Sequence, residues 1–160
     1  MEKYAGVISV VLFESKLSEA KEALKEGRGT DASGILNVVE LYSKRAEVPV
    51  PGEVEDLRHN AYELSVNNKI TEAREALDNR DYSDALGALA GVEVYAKRIG
   101  IPTPPEFESM KNEAYNMAID LNLKSAFEAK NDNNYADIES SINFVEMYAK
   151  KGSMDIPQKC

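Results

Sequence analysis

Three copies of the pattern Glu-x-Tyr-x-Lys are the residues of this chain best placed to do chemistry: Glu40-Tyr42-Lys44, Glu93-Tyr95-Lys97 and Glu146-Tyr148-Lys150. Three phenols in register, each flanked by an anion and a cation, would make a ladder suited to gripping an extended peptide. The competing reading is packing. A glutamate four residues before a lysine forms a favourable pair within one helix, worth a few tenths of a kcal/mol. A tyrosine at that spacing fills the core of a helix pair with its hydroxyl at the rim. Glu22, Glu75 and Glu128, which recur beside alanines, admit the same choice between a shared acidic groove and solvated helix surface. The remaining inventory is thin. His59 is the single histidine, and without a cysteine or second histidine nearby it makes no recognisable zinc site. No glycine-rich phosphate loop, nucleophile elbow or calcium loop is present. No catalytic, cofactor or metal residue is therefore assigned, and the chain is expected not to be an enzyme.

The triads recur because the whole chain does. At an offset of 53 residues, without gaps, the sequence repeats three times, as 1–53, 54–106 and 107–160. Columns identical in all three copies include Ala20/Ala73/Ala126, Ala23/Ala76/Ala129, Asp31/Asp84/Asp137, Val39/Val92/Val145 and Pro51/Pro104/Pro157. Self-similarity at a fixed period marks a stacked repeat architecture.

Each copy reads as a long helix, a polar turn, a shorter helix and a proline loop. The second long helix is predicted from about Gly52 to Asp78, with Leu57, Ala61, Leu64, Ile70, Ala73 and Leu77 as its inward stripe. The first copy supplies Tyr4, Ile8, Val11, Leu17, Ala20 and Leu24 to that stripe. The third supplies Met110, Ala114, Met117, Leu123 and Ala126. The turns Glu26-Gly27-Arg28-Gly29, Asn79-Arg80-Asp81 and Asp132-Asn133-Asn134 hold residues that tolerate unusual dihedrals. Asp81 and Asn134 are expected to cap the short helices, with Thr30-Asp31 doing so in the first copy. Leu36/Leu89/Ile142, Val39/Val92/Val145 and Tyr42/Tyr95/Tyr148 then face inward at three-residue steps. Short loops between such helices force antiparallel neighbours. The expected fold is all-α and a single domain over 1–160. It comprises three tandem 53-residue antiparallel hairpins, six helices in all, in a stacked array or a compact bundle.

Ala73-x-x-Ala76, then Asp81-Tyr82-x-x-Ala85-Leu86, then Leu89 and Val92 ahead of Pro102, resembles half of a tetratricopeptide unit. The third copy keeps Asn134-Tyr135, Ile142 and Val145; the first replaces the tyrosine by Gly29. In that family the aromatic and small residues pack one helix of a hairpin on the other, and a concave groove binds peptides or proteins. The resemblance implies helical hairpins and a protein-binding role. The period of 53 departs from the 34 residues of that family, and the chain has no tryptophan.

Composition narrows the partners. Apolar residues are 43% and charged residues 29%, with a net charge of −9, as expected of a folded acidic protein. Phosphate backbones and anionic lipid repel that charge, so neither nucleic acid nor membrane is expected as a partner, whereas a basic protein or peptide is. Val7–Phe13 is too short to span a bilayer, and the lone cysteine, Cys160, cannot close an intramolecular disulfide. A cytoplasmic setting is the default expectation.

One asymmetry separates the copies. Val7 aligns with Asn60 and Glu113, Val10 with Glu63 and Asn116, and Leu12 with Ser65 and Ala118. The first long helix is thus apolar where its relatives are polar or small. Homodimerisation through it is the leading expectation, with docking of the last hairpin onto it as the alternative. The residues expected to form an interaction surface are Val7, Val10, Leu12, Tyr42, Tyr95 and Tyr148. The function expected is that of a helical-repeat adaptor that binds a protein or peptide without a cofactor. The alternatives are a structural protein that assembles with itself and, third, a small acidic enzyme using carboxylates or a metal.

Overall fold

The computed structural model describes the backbone of residues 2–153 and the side chains of residues 10–153. The side chains of Tyr4, Val7 and Ile8, together with Pro157 and Cys160, lie outside the described residues. Six α-helices and no strand are found among those described: α1 (Glu2–Lys25), α2 (Gly29–Ala46), α3 (Glu53–Asp78), α4 (Tyr82–Ile99), α5 (Phe107–Asn131) and α6 (Tyr135–Lys151). Long and short helices alternate, as the sequence predicts.

The connections obey one rule in every copy. All residues with positive φ among those described fall in two columns: Gly27 (77°), Arg80 (59°) and Asn133 (55°), then Glu47 (56°), Gly100 (68°) and Ser153 (51°). Each stands just past a helix end, where a left-handed residue lets the chain turn and satisfy the last carbonyls. The amide of Arg28 donates to Ala23 O at 2.8 Å, that of Asp81 to Ala76 O at 2.8 Å, and that of Asn134 to Ala129 O at 2.9 Å. These are the same bond 53 residues apart. The proline loops repeat too, with Val54 N donating to Pro51 O and Phe107 N to Pro104 O, both at 3.0 Å.

A side chain at a left-handed position is strained by roughly 1–2 kcal/mol, and the first copy avoids this with Gly27. Arg80→Gly should therefore raise stability by about 1 kcal/mol, read as a higher urea midpoint at unchanged slope. A lowered midpoint would show that the Arg80 side chain contributes more than its backbone loses.

The short helices start largely as predicted. Asp81 Oδ1 accepts from Asp84 N at 3.0 Å, and Asn134 Oδ1 accepts from Asp137 N at 3.3 Å. The first copy differs. Thr30 lies within α2, and the N-cap position is Arg28, whose side chain makes no capping bond. The Arg28 guanidinium instead binds Asp31 and Glu26, at 2.8 and 2.6 Å, and these carboxylates raise its pKa further. Gly29 occupies the place of Tyr82 as the first residue of α2, where a Cβ would collide with the backbone of α3.

By their contacts the residues group into two bodies. The first is Met1–Lys69 with Gly91–Pro102, and the second is Ile70–Ala90 with Thr103–Cys160. In the first, α1 packs on α2 around Phe13, Leu17, Ala20, Ala23, Leu36 and Val39. Val54 and Ala61 of α3 complete that cluster. Leu36 and Val39 are fully buried, each worth about 2 kcal/mol of apolar burial. In the second, α5 packs on α6 around Ile119, Val145 and Ala149, with Leu123 and Tyr148 against them.

One position of the inward stripe needs correction. Val11 is exposed, and Phe13 takes the inward place, in one column with Val66 and Ile119, which are also buried. Six residues before Leu17 is about 240° around a helix, whereas four residues before is nearly the same face.

Candidate interaction surface

The three triad tyrosines sit at helix C-termini, each half-buried and each in its own surroundings. Tyr42 lies against the α1–α2 core. Tyr95 stacks on Tyr62 of α3, with ring centroids 5.8 Å apart, and Arg98 donates to the Tyr62 hydroxyl at 2.8 Å while lying over its ring. Tyr148 meets Tyr115 of α5 at 6.3 Å, Tyr82 edge-on at 5.4 Å and Phe144 at 6.4 Å. Tyr62 and Tyr115 are one column, so the Tyr62–Tyr95 and Tyr115–Tyr148 contacts are the same contact in two copies. The sequence reading passed over this pair because the first copy carries Ser9 there; a search for columns shared by two copies would have found it.

The glutamate of the first triad reaches another helix. Glu40 pairs with Arg58 of α3 at 2.9 Å, where the guanidinium is mostly buried and Glu55 adds a second carboxylate at 3.6 Å. The contact is ionic more than directional, since Arg58 Nη2, the atom facing Glu40, is buried without a hydrogen bond, as is Nε. Glu22, Glu75 and Glu128 are exposed.

Burial of Tyr148 holds its hydroxyl above the ordinary value near 10.0, and Tyr82 and then Tyr115 push the same way. Below about pH 10 the phenol is neutral whether the chain is folded or not, so the contribution is fully present. Above it the unfolded chain ionises first and binds fewer protons, so stability falls as pH rises through the folded pKa. Urea unfolding between about pH 8 and 11 should show wild type losing more stability than Tyr148→Phe over the alkaline end. Parallel curves for the two proteins would contradict this.

Chemistry of other kinds finds little support in the geometry. An open groove of about 460 Å³ runs past Lys16, Glu19, Arg28, Asp31, Gly34 and Ile35. Its charges already pair with one another, Lys16 with Glu19 and Arg28 with Asp31. No group of three or more histidine, cysteine, aspartate or glutamate side chains suited to a metal occurs among the described residues. His59 is exposed. No helix among the described residues is long and apolar enough to cross a membrane.

What recurs on the outside is a stripe along each short helix. Gly34, Gly87 and Ser140 form an exposed column of small residues, and a Cβ added at Gly34 or Gly87 would meet nothing within 4 Å. Seven residues on, in the column Leu41/Val94/Met147, Leu41 and Val94 are exposed and Met147 is half-buried. Between these columns lie Asn37, Ala90 and Asn143, all exposed. Lys44, Lys97 and Lys150 flank the stripe. Of the N-terminal residues expected to form a surface, Val10 is half-buried and Leu12 is exposed beside Val11. Comparisons with family models, with curated proteins and with solved structures each return no match.

Proposed function

We propose that the chain is a non-enzymatic helical-repeat adaptor, in which three equivalent antiparallel helix pairs stack and a protein or peptide binds along the outer face of the short helices. The recurrence of both left-handed turns at the same columns supports equivalence of the three copies. The observation that carries the binding role is the stripe itself: small residues beside an apolar column, repeated on α2, α4 and α6 of an acidic chain. Small residues let a partner backbone approach closely, and isolated exposed apolar residues need no explanation until they recur in register. The net charge of −9 favours a basic occupant and faster association at low salt. The tetratricopeptide-like arrangement implied by the resemblance fits this reading, as does a cytoplasmic setting.

Selection from a displayed random-peptide library tests it. Wild type should enrich basic peptides with apolar anchors, and the double variant Leu41→Glu, Val94→Glu should lose them while keeping its helical circular dichroism. Enrichment unaffected by the double variant, or none at all, would contradict the proposal.

A further inference from the structure

Each body contains one junction between consecutive helix pairs, and an ion pair at each junction uses the same two columns. Lys21 near the end of α1 pairs with Glu53 at the start of α3 at 2.7 Å. Fifty-three residues later, Arg74 near the end of α3 reaches Glu106, just ahead of α5, at 3.8 Å. At the first junction Gly29 abuts the α3 backbone at Ala61 and Ser65, and Asn68 donates to Gly27 O at 2.9 Å. At the second, Tyr82, the counterpart of Gly29, packs on Tyr148. Ser65, which faces Gly29 of the preceding helix pair, and its counterpart Ala118 are both buried, and Leu12 completes their column.

Two members of these columns, Leu12 and Phe127, are apolar and exposed where their relatives are polar or small. Leu12, in the Ser65/Ala118 column, is 39% exposed, and Val11 beside it is 60% exposed. In the second body, Phe127 stands where Lys21 and Arg74 carry the junction cation, and it is 65% exposed. Tyr135, in the Gly29/Tyr82 column, is 77% exposed. Outer faces of repeat arrays are expected to be polar. Here Leu12 and Phe127 are more apolar than the matching positions of the other copies, and they stand on the two halves of one type of junction.

We propose that the chain associates with itself head to tail, the α5–α6 edge of one copy (Phe127, Tyr135) seating on the α1 edge (Val11, Leu12) of the next, as a continuation of the internal junction. Such a contact is heterologous, so it grows into rings or filaments and does not stop at a dimer. Mutual repulsion of the acidic chains opposes it, and added salt strengthens it. The stripe on the short helices is a separate surface, so peptide binding and self-association can fail independently.

Sedimentation velocity under reducing conditions, over a range of protein and salt concentrations, tests the proposal. Wild type should form species larger than dimers, increasing with both. Leu12→Glu and Phe127→Glu, at exposed positions and checked for intact helicity, should each weaken self-association roughly tenfold or more. Mixed together, they should form a discrete heterodimer, because each retains the edge that the other lacks. A wild type that stays monomeric throughout would overturn the proposal. So would a dimer abolished by Leu12→Glu but indifferent to Phe127→Glu, which is the signature of α1 pairing with α1. Assembly indifferent to both variants would overturn it as well.

Discussion

Gly29→Ala should destabilise the fold by about 3 kcal/mol, while Gly34→Ala, five residues along the same helix, should stabilise it by roughly 0.5–1 kcal/mol. The same substitution changes sign because the surroundings differ. A Cβ on Gly29 would lie 2.5 Å from Ala61 O and 2.8 Å from Ser65 N, and both of these are backbone atoms of α3 that cannot swing aside. To admit a methyl group the two helices must part, which also strains the Asn68–Gly27 bond and the Lys21–Glu53 pair. Gly34 faces open space, so alanine there only removes the flexibility of glycine within a helix. Urea midpoints of the two variants, compared at equal slope, should fall on either side of wild type. Gly29→Ala at or above wild type would mean that α2 and α3 do not approach as described.

Phe107→Ala should cost about 3–5 kcal/mol, a large fraction of the roughly 5–15 kcal/mol expected for a domain of this size. Phe107 is 1% exposed at the start of α5, and Lys111 lies over its ring at 5.1 Å. Its counterpart Val54 is equally buried at the start of α3. The proline turn delivers an apolar side chain into the core at that point in both copies, with Phe107 N held by Pro104 O. Removing the ring leaves a cavity beneath a turn that cannot collapse into it. Phe107→Leu, which keeps most of the volume, should cost far less. Thermal unfolding would show this as a large drop for alanine and a small one for leucine, and equal drops would place Phe107 outside the core.

The helices, the polar turn of each copy and most of the buried stripe were legible in the sequence because they depend on local rules. Spacing of three and four residues marks Leu17, Ala20, Ile70 and Ala73 as inward, and all four are buried. Asp81 and Asn134 cap as their type and position predict. Less legible were contacts joining one helix pair to the next. Lys21–Glu53 and Arg74–Glu106 link residues that never share a column, so aligning the copies cannot reveal them. Gly29 shows the same limit: as a substitute for tyrosine it looks like a lapse in the repeat, and only the approach of Ala61 and Ser65 explains it. The proposed interaction surface was the hardest to read. Tyr42, Tyr95 and Tyr148 attract attention as identical residues, yet they are half-buried, whereas Leu41, Val94 and Met147 are unlike in name but alike in position.

Whether the three copies stack by one repeated step is best measured by distance. Spin labels introduced in pairs at Glu22, Glu75 and Glu128, all exposed and in one column, would report it directly. The background is Cys160→Ser, and unlabelled protein is added in excess so that only intramolecular pairs are read. The account predicts that the 22–75 and 75–128 separations coincide within the width set by the labels. Two clearly different separations would contradict a repeated step, and with it the continuous outer face on which the proposed adaptor role depends.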